Sequence, residues 1–327
     1  MSSQFPQLRQ DPIVDRWVVI APERAARPTE VEDPGHLARH AACPFCEGHE
    51  AETPHEVQAV RRPGSPPDGP GWRVRVVPNR FPAVRPDSGA AYGVHEVVIE
   101  CPRHVASLAD LPAGHVRDVF AVFRDRLTAL RADNRLRYVQ VFKNHGATAG
   151  ASVAHAHSQL LATDRVPRDV QTELHAAADY HRTHGRCPFC DLIDRELAAG
   201  ERIVLEGERV VAVAAWAGRF PYETWVLPRR HAADYDRLTD AELADLAAVM
   251  RAVLRRLAAA AGDPGYNAVL HTAPPGEDAP HYHWHWEILP RLTGIAGYEL
   301  ATGCYLNPLP PEEAAKKLRE FTTDAHG

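Results

Sequence analysis

The same ordered set of motifs occurs twice along the chain, and this repetition limits the possible folds more than any other feature. Each half contains a Cys-Pro-Phe-Cys unit, an Arg-Phe-Pro turn, a strand pattern that ends at a histidine, a long helix pattern and a His-x-His pair. The pairs begin at His155 and His283, 128 residues apart, and the strand patterns end at His104 and His231, 127 residues apart. Offsets this similar indicate an internal duplication. We predict an α+β fold of two tandem halves, each an antiparallel sheet with one long helix.

The hydrophobic pattern places the main elements of each half. A helical repeat over residues 108–131, with Val116, Val119, Phe120, Phe123, Leu127 and Leu130 on one side, recurs over residues 239–261, where Thr239 or Asp240 is a plausible cap. Strands are predicted at residues 72–77, 95–101, 138–142, 159–162, 210–215 and 266–270. A polar helix over residues 168–184 separates the halves. The predicted boundaries are therefore 1–165 for the first half, 166–185 for the connector and 186–327 for the second half.

Composition and charge describe an ordinary globular protein. The 327 residues are 45% hydrophobic and 24% charged, and the formal net charge is −6. This net charge gives no reason to expect a nucleic-acid or membrane-surface partner. The N-terminus lacks a signal pattern, and no apolar run is long enough to span a bilayer. We therefore expect a cytoplasmic protein.

Cysteines and histidines recur with the spacing of metal ligands. A lone Cys-x-x-Cys in a cytosolic chain could be a redox pair, but here each of two copies accompanies two histidines in equivalent places. Two thiolates and two imidazoles form the closed tetrahedral set typical of structural zinc. We predict two zinc ions per chain, one bound by Cys43, Cys46, His104 and His155, the other by Cys187, Cys190, His231 and His283, with His281 as an alternative fourth ligand. The remaining cysteines, Cys101 and Cys304, are expected to be plain buried thiols.

The segment around the first His-x-His pair predicts phosphate chemistry. Alternate residues of a strand share a face, so His155, His157 and Gln159 would point the same way. One imidazole can attack phosphorus, the amide can hold a non-bridging oxygen, and the other imidazole can bind a metal that stiffens the strand. A glycine-bearing loop at residues 146–152 lies just upstream, and its backbone N–H groups can approach a phosphate closely.

The equivalent segment of the second half offers different groups. His285 and Glu287 stand where the first half has His157 and Gln159, and the acidic, proline-rich residues 274–278 replace the glycine loop. An acidic loop would repel a phosphate. We therefore expect catalysis only in the first half, with the second half structural and lending parts to the site.

The order of these motifs resembles that of the galactose-1-phosphate uridylyltransferases, the double-domain branch of the histidine-triad superfamily. The resemblance runs from residues 11–12 to residues 310–315, and its most specific part is residues 144–159. It implies two tandem histidine-triad-like halves and a ping-pong transfer. His157 would attack the α-phosphorus of a UDP-sugar, hexose-1-phosphate would leave, and a second hexose-1-phosphate would take the uridylyl group from His157.

The resemblance also implies roles for individual residues. Gln159 and Ser152 match positions that contact the phosphates. Tyr298 and Glu299 match hexose-binding positions, which in the family reach the site of the other subunit of a homodimer. Nucleotide-binding positions fall at Arg24, Arg27, Asn79, Asn144 and Gly150. The expected partners are thus a nucleotide sugar, a hexose-1-phosphate and a second copy of the chain.

Some departures from the family pattern concern the substrate. The commoner uridylyltransferase form has proline and glycine where this chain has Ala156 and Ser158, and many members have an acidic residue where Arg80 stands. The His-x-His-Ser-Gln form and a second cysteine pair also occur in relatives that act on ADP-glucose by phosphorolysis. The predicted reaction is UMP transfer between UDP-sugar and hexose-1-phosphate, and ADP-glucose phosphorolysis is the alternative within the family.

Two other classes of function stay open from the sequence. A binding module in which both metal sites are structural would leave His157 idle, and Gln159 and the glycine loop argue against it. A nucleotide hydrolase is the other class, as among single-domain histidine-triad proteins. Those proteins keep a third histidine where this chain has Gln159, so transfer to a sugar phosphate is favoured.

Overall fold

A computed structural model of the chain describes residues 7–10, 17–20, 43–89, 91–276 and 279–321. Within these ranges the strands are β1 (Gln7–Gln10), β2 (Trp17–Ile20), β3 (Gln58–Arg61), β4 (Trp72–Pro78), β5 (Gly93–Ile99), β6 (Tyr138–His145), β7 (His157–Thr163), β8 (Ile203–Glu206), β9 (Val210–Ala214), β10 (Thr224–Pro228), β11 (Tyr266–His271) and β12 (His285–Pro290). The helices are α1 (Ala113–Arg131), α2 (Arg168–His184), α3 (Pro188–Ala199), α4 (Asp240–Ala261), α5 (Gly297–Thr302) and α6 (Pro311–Glu320). Two predicted nucleotide-binding residues, Arg24 and Arg27, lie outside the described residues.

Ten strands form one antiparallel sheet in the order β3-β4-β5-β7-β6-β11-β12-β10-β9-β8. Apart from β1 and β2, which pair with each other, each half contributes five strands to this sheet. From the outer edge inward they follow the order β3-β4-β5-β7-β6 in the first half and β8-β9-β10-β12-β11 in the second, so the two halves have the same topology. They join where β6 pairs with β11, with Phe142 opposite Val269. The sheet predicted for each half is therefore one half of a continuous sheet.

The two long helices lie against each other and cover one face of this sheet. All six residues predicted for the apolar side of α1 are buried. The hydroxyl of Thr239 caps α4 by accepting from the Glu242 N–H, and the Glu242 carboxylate accepts from the Thr239 N–H in return. Side chains of both helices and of strands from both halves form one hydrophobic core.

Most predicted elements are present, with ends that differ by a few residues. The connector is helix α2 over the predicted residues. Helices α3, α5 and α6 were not predicted. Helix α3 starts inside the second Cys-Pro-Phe-Cys unit because Pro188 suits the first helical turn, where its missing N–H needs no partner. The predicted boundaries between halves stay a prediction, because the halves share one sheet and one core. No helix in the described part of the chain has the length and apolarity to cross a membrane.

Candidate active site

The predicted catalytic residues lie on β7, in the middle of the first half of the sheet. Ile99 of β5 is opposite His157, and Phe142 of β6 is opposite Gln159. Leu160 is in the core beneath the long helices, so the alternation of the strand turns His157 and Gln159 to the other face. The sequence-based expectation that His157 and Gln159 share a face is confirmed, whereas His155, which was expected on the same face, precedes the strand.

The ring of His157 is held in one orientation. Its Nδ1 lies 2.8 Å from the carbonyl oxygen of His155, which can only accept, so Nδ1 carries the proton and donates it. This leaves Nε2 with a lone pair, which is the form of imidazole that can act as a nucleophile. The ring also contacts Phe45, with 5.4 Å between the ring centres.

The amide of Gln159 is oriented by His95, a residue to which the sequence analysis gave no role. The Ala83 N–H donates to His95 Nδ1 at 3.0 Å, so the proton of this imidazole lies on Nε2. His95 Nε2 is 2.9 Å from Gln159 Oε1 and donates to it. This hydrogen bond occupies the oxygen of the Gln159 amide. The NH2 group therefore points away from His95 and is the part of the amide that can donate a hydrogen bond.

A cavity of about 150 Å³ opens beside these groups. Four of the predicted site residues line it together: Asn79, Ser152, His157 and Gln159. Its apolar part includes Phe45 and Phe81, which suits a flat aromatic ring. Gly150, at the end of the turn Ala147–Ala149, has φ +82°, a conformation that favours glycine. The described lining of the cavity does not include Tyr298 or Glu299, which are on α5.

A second, larger cavity of about 690 Å³ lies near His231 in the other half. Its lining includes Arg131 and Arg230, but both are already paired, Arg131 with Asp234 and Asp236 and Arg230 with Glu242. Paired arginines attract an anion weakly, so this cavity is a poor match for a phosphate.

Both predicted metal groups are assembled. The ligand atoms of Cys43, Cys46, His104 and His155 lie within 4.8 Å of one another, and so do those of Cys187, Cys190, His231 and His283. Among the described residues, His281 is not part of either group, which favours His283 as the fourth ligand. Of the other two cysteines, Cys101 is buried as expected, whereas Cys304 is exposed, because it follows α5 on the surface. The prediction of a buried thiol at Cys304 is wrong.

The chemistry of the two groups fits a metal ion. His155 Nε2 is 2.8 Å from the Cys101 carbonyl, and His283 Nε2 is 2.8 Å from the Pro228 carbonyl, so each ring turns an unprotonated Nδ1 toward the cysteines. Burial lowers the pKa of His155 to about 4 and that of His283 to about 3, which keeps both rings neutral at pH 7. Burial also raises the pKa of the Cys43 thiol to about 12, an effect that a bound cation would reverse.

The equivalent place in the second half is closed. His285 is fully buried, with Trp225 stacked on it at 5.1 Å and His271 at 4.6 Å between ring centres. Glu173, from the connector helix α2, lies 3.4 Å from His285 Nε2 and 2.7 Å from His271 Nδ1. Helix α2 thus places a carboxylate beside His285, the counterpart of His157, and this carboxylate would repel a phosphate. The expectation that only the first half is catalytic stays a prediction.

Glu173, His271 and His285 also bring their ligand atoms within 4.8 Å of one another. Burial by itself would lower the pKa of His271, but hydrogen bonds with Glu173 and Glu287 outweigh it and raise the pKa to about 10. His271 is therefore a cation between two carboxylates at neutral pH. Charge pairing therefore accounts for the short distances among Glu173, His271 and His285.

Comparison with known proteins gives the family. Residues 103–324 match the family described as Domain of unknown function (DUF4921). ADP-glucose phosphorylase of Arabidopsis thaliana is 34% identical over 98% of this chain and 95% of its own length. Galactose-1-phosphate uridylyltransferase of Thermotoga maritima is 28% identical over 96% of this chain and 98% of its own length.

Solved structures agree with the sequence matches. The crystal structure of an ADP-glucose phosphorylase from Arabidopsis thaliana with bound ADP-glucose has a TM-score of 0.79 at 34% identity, and covers 97% of this chain and 100% of its own. A uridylyltransferase structure has a TM-score of 0.80 at 28% identity, and covers 96% and 98% of the two chains. The chain therefore belongs to the galactose-1-phosphate uridylyltransferase family, among whose members are both uridylyltransferases and an ADP-glucose phosphorylase.

Proposed function

We propose that this protein is a nucleotidyltransferase that moves a nucleoside monophosphate from a nucleotide sugar to a phosphate-bearing acceptor by way of His157. The observation that carries the proposal is the pairing of an oriented imidazole with an oriented amide at one cavity. His157 has its proton on Nδ1, and Gln159 has its oxygen occupied by His95. A nucleophile and an oxyanion donor are thus both set before substrate arrives.

The proposed reaction has two steps that share one intermediate. His157 Nε2 attacks the α-phosphorus of the nucleotide sugar, a P–N bond forms, and the P–O bond to the sugar phosphate breaks. The sugar phosphate leaves with the bonding electrons. An oxygen of the acceptor phosphate then attacks the same phosphorus, and the P–N bond breaks to return His157.

The NH2 group of Gln159 would donate to a non-bridging oxygen of the α-phosphate as charge develops there. A neutral amide cannot protonate a leaving group, but a leaving phosphate needs no acid because it is already a stable anion. Asn79, Ser152, Asn144 and Gly150 are the further proposed contacts of the nucleotide. These properties favour transfer between phosphates over hydrolysis.

The nucleobase and the acceptor follow from relatedness and from two features of the sequence. Phosphorolysis of ADP-glucose is favoured because a relative named ADP-glucose phosphorylase is 34% identical. The resemblance noted in the sequence also gives Ser158 and the second cysteine pair as features of that branch. Transfer of UMP between UDP-glucose and hexose-1-phosphate is the second candidate, because uridylyltransferases match nearly the whole chain at 28% and 29% identity.

We also propose that both Cys/His groups hold zinc, because two thiolates and two imidazoles are its usual structural ligands. The four residues of each group named above would bind it, and the ion would fix the ends of the strands without taking part in the reaction.

The proposed homodimer has support from the surface around α5. Leu292, Ile295, Tyr298, Leu300 and Leu306 are exposed there, which is unusual for large apolar side chains so close in sequence.

Incubation with labelled ADP-glucose and labelled UDP-glucose, in separate reactions, tests the proposal. Each reaction is run with inorganic phosphate, with hexose-1-phosphate and with no acceptor. A transferase holds the nucleotidyl label on the protein until an acceptor is added. The combination of nucleotide sugar and acceptor that reacts fastest identifies the substrates. Release of free nucleoside monophosphate without acceptor would indicate a hydrolase, and no labelling with either sugar would indicate a binding module. Either of these two results would overturn the proposal.

A further inference from the structure

A chain of three polar side chains crosses the seam between the two halves of the sheet. Asn144 of β6 and Asn267 of β11 are directly opposite each other. Asn267 Nδ2 donates to Asn144 Oδ1 at 2.8 Å and to the Ala149 carbonyl at 2.9 Å. Arg291 Nε in turn donates to Asn267 Oδ1 at 2.6 Å. The second half therefore supplies two residues that bear on the first.

The direction of these hydrogen bonds is set by the arginine. A guanidinium has only donors, so the atom of Asn267 that faces it must be the oxygen, and the NH2 group must face Asn144. Asn144 then accepts through Oδ1, which leaves its own Nδ2 as a donor. Asn144 is two residues from Phe142, which is opposite Gln159, so the Asn144 side chain is on the face of the sheet that carries Gln159 and His157.

The same segment of the second half supports the glycine loop. The Ala149 carbonyl, which accepts from Asn267, belongs to the turn Ala147–Ala149 within that loop. Gly265 also packs closely there, because a Cβ added to it would lie 2.1 Å from Thr148 Oγ1. A hydrogen bond and a close backbone contact thus fix the loop from one side.

We propose, on the basis of the proposed function, that Asn267 and Arg291 are positioning residues for the nucleotide. They preset the amide of Asn144 as a hydrogen-bond donor and hold the glycine loop where the phosphates of the nucleotide sugar bind. Donors fixed in advance do not have to reorganise when charge develops, which is why such positioning contributes to rate and affinity. The second half, which does not itself catalyse, thereby completes the site of the first.

Asn267→Asp is the most direct test. The carboxylate has the shape of the amide, still accepts from Arg291 and gains an opposite charge beside it, which offsets part of the two hydrogen bonds that it loses. The variant should therefore still fold, with a denaturant midpoint at or below the parent's. It has no N–H for Asn144 or for Ala149. The KM for the nucleotide sugar should rise about 10- to 100-fold, the effect of losing a hydrogen bond to a charged group.

Two further variants separate positioning from general damage to the seam. Gln140→Glu makes the same change on the same seam, where Gln140 Nε2 donates to the Leu270 carbonyl at 2.7 Å, and should leave the KM for the nucleotide sugar at the parent's level. Arg291→Leu removes the group that sets the orientation of Asn267, and should raise the KM for the nucleotide sugar, whereas Arg291→Lys keeps a donor and should raise it less.

The outcomes are distinguishable. An active parent whose Asn267→Asp variant keeps the parent's KM for the nucleotide sugar would overturn this inference and leave the proposed function standing. Equal losses in Asn267→Asp and Gln140→Glu would also overturn it, since the seam as a whole would then be responsible. A parent that transfers no nucleotidyl group would overturn the proposed function and this inference together.

Discussion

Lys143 donates a hydrogen bond to the carbonyl oxygen of His157 at 3.1 Å, from the side of the sheet that faces the core. Its ammonium also pairs with the Glu100 carboxylate at 2.9 Å, and Glu100 accepts from the Ser158 hydroxyl at 2.5 Å. Ser158, which departs from the commoner form of the family, therefore has a structural role as a hydrogen-bond donor to a buried carboxylate. A buried polar group lies directly behind the residue proposed as the nucleophile.

Lys143→Met should destabilise the protein by about 3–5 kcal/mol, because it leaves the fully buried Glu100 without its counter-charge. Replacing all three groups, with Lys143→Met, Glu100→Leu and Ser158→Ala together, should restore most of this loss, since no charge or hydroxyl is then left unpaired. Chemical denaturation measures the free energy of unfolding of the single and the triple variant. Arg135→Met, at an exposed pair with Asp133, is the control and should cost less than about 1 kcal/mol. A single variant as stable as the parent would contradict the argument.

Gln159→Ala should lower the rate of nucleotidyl exchange about 10²–10³-fold, the usual cost of removing one oxyanion donor. His95→Leu should also lower this rate, because Gln159 Oε1 would lose its shorter hydrogen bond and keep only the donor Asn79 Nδ2 at 3.4 Å. Since His95 acts through Gln159, the double variant should be no slower than Gln159→Ala alone. Exchange kinetics of the parent and the three variants give this comparison. Additive losses would show that His95 acts by another route.

Metal analysis of untagged protein should find two ions per chain, with zinc as the expected element. His104→Ala should lose one of them and melt at a lower temperature than the parent, because binding energy at a structural site is also folding energy. His281→Ala is the matched control, since His281 is outside both groups of ligands in the described structure, and it should keep both ions. A His104→Ala variant with two ions and the parent's melting temperature would show that the first group has been assigned wrongly.

Glu242 makes stability depend on pH in the acid range. Burial favours a higher pKa for its carboxyl group, but hydrogen bonds from Arg230 and Thr239 outweigh burial and lower the pKa to about 2. Because the folded-state pKa lies below the ordinary value of about 4.3, the stabilisation is complete above about pH 4.3 and is lost as the pH falls toward 2. Glu242→Gln keeps an acceptor for the Thr239 N–H but removes the charge that pairs with Arg230, so it should cost up to about 1 kcal/mol at pH 7 and progressively less across that window. Unfolding curves at several pH values test this, with exposed Glu208→Gln as the control. If the free energy of unfolding of Glu242→Gln differed from the parent's by the same amount at all pH values, titration of Glu242 would not explain the pH dependence.

The duplication made the metal groups predictable. Each group joins residues far apart in sequence, such as Cys43 and His155, and no local pattern connects them. Two copies in the same register showed which cysteines and histidines belong together. The helices were predictable for a local reason, because the apolar repeat of α1 is also its buried side. The short helix α3 was missed because its start at Pro188 lies inside a motif that is a turn in the first half.

The orienting residues could not be predicted, because they depend on strand pairing and helix docking. His95 reaches Gln159 only because β5 pairs with β7 in one register, and Asn267 reaches Asn144 only because β11 pairs with β6. Glu173 looked like part of a polar connector, and its role follows from the way α2 packs over the second half. The sequence therefore indicated which groups could react and left open which groups orient them.

The most direct test of the account is to locate the nucleotidyl group on the protein. The parent is mixed with ADP-glucose or UDP-glucose without acceptor, and intact-mass and peptide mass spectrometry identify the modified residue. We predict one nucleoside monophosphate per chain, on His157, absent from His157→Gly and still present in His285→Gly. An adduct on a peptide of the second half, or a His157→Gly variant that is labelled like the parent, would contradict the assignment of His157 as the nucleophile.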